Sequence, residues 1–228
     1  MKAFLLAALV AYIPTSVSLL KRAASRPAAG LYKVREVTLT GNVTVKDQGQ
    51  HSAQLVLRFP LSCKLEGEGG VSLSVHGTPA KPNGVAEGTT GPALQLLQLA
   101  CPFLTWRGLP PADAEEVLRQ AAIASGTDVA AGATSLGRMG DRIVYVVGAS
   151  VRDLTRPQLW LYKDTAAPAR LLGPGGLDLR FLEYGNPAAA DFFPRVIELW
   201  EGGQLTARFE ALEAHGARGS GEEEDDGG

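Results

Sequence analysis

Cysteine, histidine and aromatic residues are all scarce in this chain of 228 residues, which has 2 cysteines, 3 histidines and 7% aromatic side chains. Two cysteines are too few for a disulfide-rich scaffold, and they form no C-x-x-C pair that could hold zinc. The glycine loop that binds phosphate, the G-x-S-x-G motif of serine hydrolases and the H-E-x-x-H motif of zinc proteases are absent as well. The sequence therefore offers no catalytic residue, and we expect no enzyme, no cofactor and no metal site.

The chain also lacks an excess of charge of either sign, because 22 basic and 24 acidic residues give a net charge of -2. Nucleic-acid binding needs clustered lysine and arginine, so no nucleic-acid partner is expected. Five acidic residues stand together at 222–226, and we expect residues 215–228 to form an acidic, disordered tail. With 45% hydrophobic residues the chain can bury one sizeable core, which predicts a single domain.

Long apolar runs are missing too, apart from residues 3–13 near the N-terminus. This run is shorter than the roughly 20 residues that span a bilayer, so no permanent membrane anchor is expected. It follows Met1 and Lys2 and precedes small residues, an order typical of a secretory signal with cleavage after Ser18. We therefore expect residues 1–18 to be a cleaved signal peptide and the protein to be periplasmic. A buried N-terminal helix is the alternative, and residues 19–30 are expected to be a linker or a frayed first helix.

Apolar and polar side chains alternate over residues 37–75, which predicts antiparallel strands with one covered face. The alternation is strongest from Ala53 to Leu65, and we expect one long strand there. Residues 76–91 are rich in glycine and proline and predict a loop. The second half returns to short strands and a hairpin at Gly202-Gly203. In total, about ten strands predict a mainly β domain whose sheet curls into a barrel or packs as a sandwich.

Two helices are predicted between these groups of strands. Residues 93–106 are apolar almost all round, with only Gln95 and Gln98 as a thin polar stripe, so this helix must be surrounded by protein or ligand. Pro102 is expected to kink or end it. A second, amphipathic helix is predicted from Asp113 to about Ser125. An apolar sheet face and an apolar helix form either a filled core or a pocket with the helix as its lid.

The order of these parts resembles the outer-membrane lipoprotein carrier family of LolA/LolB type, over about Leu31 to Ala214. The matching features are the early strands ending at Arg58-Phe59-Pro60, the helical middle, the hairpin over residues 159–171, and the segment 193–198 before the last strand. The resemblance implies an unclosed antiparallel β-barrel, or half-barrel, with two helices acting as a lid or plug. It also implies that the concave face holds acyl chains of lipids or lipoproteins crossing the periplasm.

The resemblance extends to individual residues. Carriers of this family have an arginine beside a proline that steadies the lid, and Arg58 matches that position, although Phe59 separates it from Pro60. Cys63 and Cys101 either form a disulfide, which would tie the lid to the sheet, or are two small buried hydrophobes. Acyl chains are expected to contact six side chains of the sheet and three of the helix: Val37, Leu39, Val43, Leu55, Leu57, Phe59, Leu94, Leu97 and Phe103.

Three functions remain open on this basis. The first is a carrier or binder of lipid or lipoprotein. The second is an envelope-stress sensor or interaction module on the same fold, which would bind an envelope protein and not transport lipid. The third is a structural exported domain with a filled core. A pocket of about 300 Å³ or more would separate the first two from the third.

Overall fold

One antiparallel sheet of twelve strands forms the framework of the protein in a computed structural model, which describes residues 13–25, 34–130 and 134–218. The strands are β1 (Val34–Val45), β2 (Gly49–Arg58), β3 (Ser62–Gly67), β4 (Val71–Thr78), β5 (Lys81–Glu87), β6 (Thr134–Met139), β7 (Arg142–Val147), β8 (Gln158–Tyr162), β9 (Pro168–Leu172), β10 (Leu177–Leu182), β11 (Val196–Glu201) and β12 (Gln204–Arg218).

Strands that are adjacent in the sheet are also consecutive in the chain, except where β1 pairs with β12. The order is β5-β4-β3-β2-β1-β12-β11-β10-β9-β8-β7-β6, and within the described residues β5 and β6 do not pair with each other. The sheet is therefore unclosed, and the predicted fold class, a mainly β half-barrel, is confirmed.

Three α-helices occur in the described part of the chain: α1 (Ser16–Ala24), α2 (Pro92–Thr105) and α3 (Pro111–Ala124). The two predicted helices correspond to α2 and α3. The expectation of a break at Pro102 is wrong in one respect, because α2 continues through this buried proline to Thr105. None of the described helices has the length and apolar character needed to cross a membrane.

Helix α1 begins inside the predicted signal peptide and continues into the predicted linker. Its N-terminus is capped by Thr15, whose Oγ1 accepts a hydrogen bond from the Ser18 backbone N–H. Leu19 and Leu20 are buried, and the helix packs against α3. The sequence leaves a helix open as an alternative both to the signal peptide and to the linker, and the structure has a helix from Ser16 to Ala24. Residues 1–12 lie outside the described part, and cleavage after Ser18, which would remove this cap, stays a prediction.

The single long strand expected over residues 53–65 is instead a hairpin. Pro60 has no N–H to donate to a strand ladder, and Leu61 adopts a φ of 59°, in the left-handed region. The chain therefore turns between β2 and β3. Leu57 and Cys63 are direct partners across the hairpin and both are buried. The apolar alternation continues through the turn because the two strands share one covered face.

The sheet also extends further than predicted. β5 lies in the segment expected to be a loop, and β6 falls where no strand is predicted. Both occupy an end of the sheet, where pairing with a single neighbour is enough to form a strand despite weak β propensity. β12 continues to Arg218, so residues 215–218, predicted to be tail, belong to the sheet. Residues 219–228 lie outside the described part.

The main hydrophobic cluster lies between the concave face of the sheet and α2. Because α2 contacts eight neighbouring strands of the sheet, from β5 through β1 and β12 to β10, the sheet curves around it. Cys63 of β3 and Cys101 of α2 form a disulfide, with both side chains fully buried. Helix α2 is therefore tied to the sheet by a covalent bond as well as by packing.

Replacing both cysteines by alanine should lower the free energy of unfolding by about 3–4 kcal/mol, because the crosslink restricts the unfolded chain. Urea denaturation of the oxidised protein and of the Cys63→Ala/Cys101→Ala variant measures this difference. A reducing agent should shift the midpoint of the parent protein and leave that of the variant unchanged. Equal midpoints for the two oxidised proteins would contradict a stabilising role for the crosslink.

Candidate functional site

Eight of the nine predicted ligand-contacting residues come together on the concave face. In the ladder between β1 and β2, Val37 is opposite Leu57 and Leu39 is opposite Leu55. Eight of the nine are at most 9% exposed and belong to the main hydrophobic cluster, together with the buried face of α2. They pack together within this cluster. A charged substitution at Leu57 would therefore disrupt the core as well as any binding.

Phe59 is the ninth residue, and it has a different position. It follows β2 in the turn, is half-buried, and its ring centroid lies 6.2 Å from that of Phe193. Its side chain also covers Gly108, where an added Cβ would come within 2.5 Å of the Phe59 Cβ. Phe59 thus closes the end of the half-barrel near the C-terminus of α2, and it does not line the middle of the concave face.

The two halves of α2 are held in different ways. The C-terminal half carries Cys101 of the disulfide and Phe103, whose ring packs edge-on against Phe181 with centroids 5.9 Å apart. The N-terminal half is held by its buried leucines, Leu94, Leu96 and Leu97, and by two side-chain amides. The sequence shows these amides as a thin polar stripe. Gln95 Nε2 donates to Glu201 Oε1 at 3.1 Å, and Gln98 Nε2 donates to the Asn83 carbonyl oxygen at 3.3 Å.

Two cavities flank this N-terminal half. One, of about 380 Å³, lies outside the first turn of α2 and includes Gln95, Gln98 and Glu201 in its wall. The other, of about 110 Å³, lies at the open end of the sheet between Ala93 and the rim residues. The apolar rim side chains come from β1, β3 and the first residue of β4: Val43, Val45, Leu65 and Val71. The polar members of the wall are Gln48, His51 and Glu68. Both cavities thus lie at the N-terminal end of α2, away from the disulfide.

Arg58 does not act as the predicted lid latch in this structure. Its Nε donates to Glu36 Oε2 at 2.6 Å, and 60% of its side chain is exposed. Leu57 faces the core, and because successive strand residues face opposite sides, Arg58 lies on the convex face, away from the helices. The hydrogen bond and charge of Glu36 raise the Arg58 pKa above its usual value. The residue is an ordinary surface arginine, and Phe59 between it and Pro60 accounts for the departure from the family pattern.

A different arginine, Arg107, lies in the turn directly after α2, and no motif in the sequence points to it. Its Nη1 donates to the Phe192 carbonyl oxygen at 2.8 Å, and its guanidinium stacks on Trp106, 4.5 Å from the ring centroid. Burial lowers the pKa of Arg107. Its Nε and the indole Nε1 of Trp106 are buried donors that have no acceptor among the described residues. Burial of these unpaired donors costs free energy, and the packing after the C-terminal end of α2 has to offset that cost.

The histidines lie on the surface. His76 is within 3.0 Å of Ser62 Oγ, and His215 is near Glu213. Among the described residues no group of histidine, cysteine and carboxylate side chains has the spacing of a metal site.

Comparisons with solved structures concern the fold. The chain is similar to a LolA superfamily protein from Nitrosomonas europaea, with a TM-score of 0.42, 12% identity, and coverage of 89% of this chain and 93% of that one. It is also similar to MucB, with a TM-score of 0.28, 15% identity, and coverage of 92% of this chain and 61% of that one.

The chain is also similar to two solved complexes of MucB with MucA. In the complex from Pseudomonas aeruginosa, the match covers 92% of this chain and 59% of the matched chain, at 16% identity and a TM-score of 0.28. The chain thus spans about three fifths of the length of MucB. No protein-family model matches the chain, and no curated protein matches it in sequence. The fold of the described residues is one unclosed antiparallel sheet, with helices packed on its concave face.

Proposed function

We propose that the protein is a periplasmic carrier that binds acyl chains of lipids or lipoproteins between the N-terminal half of α2 and the concave face of the sheet. The unequal attachment of α2 is the observation that carries this proposal. One half is fixed by a disulfide and the other by two amide hydrogen bonds beside two cavities. Export with removal of a signal peptide is part of the proposal, and a buried disulfide supports an oxidising compartment.

In the proposed mechanism the N-terminal half of α2 swings away from the sheet while Cys101 keeps the C-terminal half in place. Gln95 and Gln98 release their partners on β11 and β5. Leu94 and Leu97 then move off the sheet residues that they cover in the closed form. The acyl chain takes their place on that apolar face, and each methylene moved out of water contributes about 0.8 kcal/mol.

The rim cavity of about 110 Å³ is the proposed point where the chain enters. Its apolar walls from β1, β3 and β4 are continuous with the buried concave face, and Ala93 at the start of α2 forms the movable side. The cavity is too small for a whole acyl chain, because ligand pockets usually measure about 300 Å³ or more. The site therefore opens fully only when α2 moves.

Native mass spectrometry of the protein purified without detergent tests the class of function. We expect a bound species with the mass of a lipid or an acylated peptide, because an opened apolar face outside the cytoplasm takes up hydrocarbon. A stable complex with an envelope protein and no bound lipid would support the sensor or interaction module instead. A protein that carries neither would contradict the proposal.

Val71→Glu should weaken uptake of a fluorescent fatty acid by about tenfold, because it places a carboxylate at the rim where the first methylenes leave water. Val71 is 47% exposed, so the substitution should leave the fold intact. Val85→Glu is the matched control: Val85 is 66% exposed on the neighbouring strand β5 and does not line the cavity. Equal probe affinities of the two variants would contradict the proposed point of entry.

Gln95→Ala combined with Gln98→Ala should strengthen binding of the same probe by about fivefold or more, because two hydrogen bonds worth about 1 kcal/mol each no longer oppose opening. Stopped-flow fluorescence should show the gain as faster association. Gln120→Ala is the control, since it removes a similar hydrogen bond to Glu116 on α3. Unchanged association in the double variant would show that α2 does not open at this end.

A further inference from the structure

The convex face of the sheet holds two arginines at an electrostatically unfavourable spacing. Arg170 of β9 and Arg180 of β10 are direct partners in the strand ladder, and like charges at such positions repel. One carboxylate, that of Asp178, lies between them. Arg170 Nε donates to Asp178 Oδ1 and its Nη2 to Oδ2, both at 2.7 Å; Arg180 Nη2 donates to the same Oδ2 at 2.7 Å. Two cations therefore share a single counterion.

Both guanidinium groups are fixed in place and keep unused donors. Each uses its Nε and Nη2 on Asp178, and in the described part of the chain neither Nη1 has an acceptor. Arg170 stacks on Trp160, and Arg180 stacks on Trp200, with distances of 4.9 and 4.5 Å to the ring centroids. Such positioning removes the entropy that a free arginine would lose on binding.

A cavity of about 600 Å³ opens beside this pair, and Arg170 and Arg180 also form part of a smaller cavity of about 230 Å³. Arg138 and Arg142, from the hairpin of β6 and β7, face the larger one. Arg142 pairs with Asp164. Arg138 donates to the backbone carbonyl oxygen of Asp141, and among the described residues it has no carboxylate within ion-pair distance. Two carboxylates, Asp141 and Glu183, also line the larger cavity, and Glu183 pairs with Arg195. The local excess of positive charge is therefore that of Arg170 and Arg180, which share Asp178.

The aromatic side chains Trp160, Tyr162 and Tyr184 form part of the wall of the larger cavity. Burial raises the pKa of the Tyr184 hydroxyl above its usual value, so this group stays a neutral donor at any physiological pH. The volume exceeds that of an inorganic anion and falls in the range of small-ligand pockets. The walls therefore combine cationic donors for an oxyanion with apolar surface for an organic group.

We propose that Arg138, Arg142, Arg170 and Arg180, here named the convex arginine site, bind the phosphate group of an organic phosphate. Paired guanidinium groups suit a phosphate because they offer parallel donors to several oxygens. The phosphate would be the second counterion that the pair of Arg170 and Arg180 lacks. This site lies on the opposite face of the sheet from α2, and its binding does not depend on the proposed acyl carrier function.

Isothermal titration calorimetry of the full chain with potassium phosphate and with glycerol 3-phosphate, against potassium chloride at equal ionic strength, tests this proposal. Arg180→Gln should weaken phosphate binding by about tenfold or more, because a charged hydrogen-bonding group is lost. The remaining pair of Arg170 and Asp178 is balanced in charge, so the variant should fold. Arg58→Gln is the matched control, an arginine on the same convex face with one carboxylate partner.

The phosphate group belongs either to a soluble organic phosphate or to a lipid head group, and sedimentation with vesicles distinguishes these two sources. Binding of free phosphate or glycerol 3-phosphate that is lost in Arg180→Gln supports a soluble organic phosphate. Binding to phosphatidylglycerol vesicles but not to phosphatidylcholine vesicles, without binding of the free anions and again lost in Arg180→Gln, supports a lipid head group. Absence of binding in both experiments, or equal binding by Arg180→Gln and Arg58→Gln, overturns the proposal.

Arg138→Gln is a second variant in case Arg180→Gln does not fold. Arg138 is exposed at the rim of the cavity, and its loss leaves the bonds to Asp178 in place. It should weaken phosphate binding severalfold without changing the melting temperature, because it removes an unpaired cation. Unchanged affinity in this variant would exclude it from the site and, if Arg180→Gln fails to fold, would overturn the proposal.

Discussion

The apolar concave face of an unclosed sheet has to be covered, and this requirement organises the whole molecule. A closed barrel would cover that face by itself, but here β5 and β6 stay apart within the described residues. Helix α2 supplies the cover, which explains why it is apolar almost all round. The disulfide between Cys63 and Cys101 keeps cover and sheet together even when their contact loosens. A tether of this kind permits partial opening without loss of the fold.

The free-energy cost of the proposed opening and the free-energy gain from binding an acyl chain are close to equal. Exposing Leu94, Leu96 and Leu97 costs about 5–9 kcal/mol, if each buried leucine is worth ~1.5–3 kcal/mol. An acyl chain that buries about ten methylenes in their place returns about 8 kcal/mol. Because the two terms are similar, weak contacts decide the outcome, and the amides of Gln95 and Gln98 are such contacts. A carrier that must also release its ligand requires this balance, whereas a pocket formed permanently by the fold would bind too tightly.

The sequence predicts the elements whose pattern is local and misses those that depend on partners. Alternation places Val37, Leu39, Leu55 and Leu57 on one face, and the structure brings them together. The same alternation does not reveal the turn at Pro60, because it runs on unbroken through both strands of the hairpin, which share the covered face. β5 and β6 have little strand propensity and form because a neighbouring strand offers hydrogen bonds. Arg107 is not recognisable in the sequence because its burial depends on Phe192 and Trp106 around it.

The convex face follows a different physical rule from the concave one. An exposed sheet surface is kept soluble by charges, and balanced charges are sufficient for that purpose. Near β11 and β12 the positive charges are fully offset, since Arg208 bridges Glu198 and Glu210, and Arg195 pairs with both Glu210 and Glu183. Around Asp178 they are not, and the unbalanced pair, Arg170 and Arg180, is also the pair that adjoins a cavity. Solubility alone would not concentrate the excess there. Binding of an anion accounts for both the imbalance and its position.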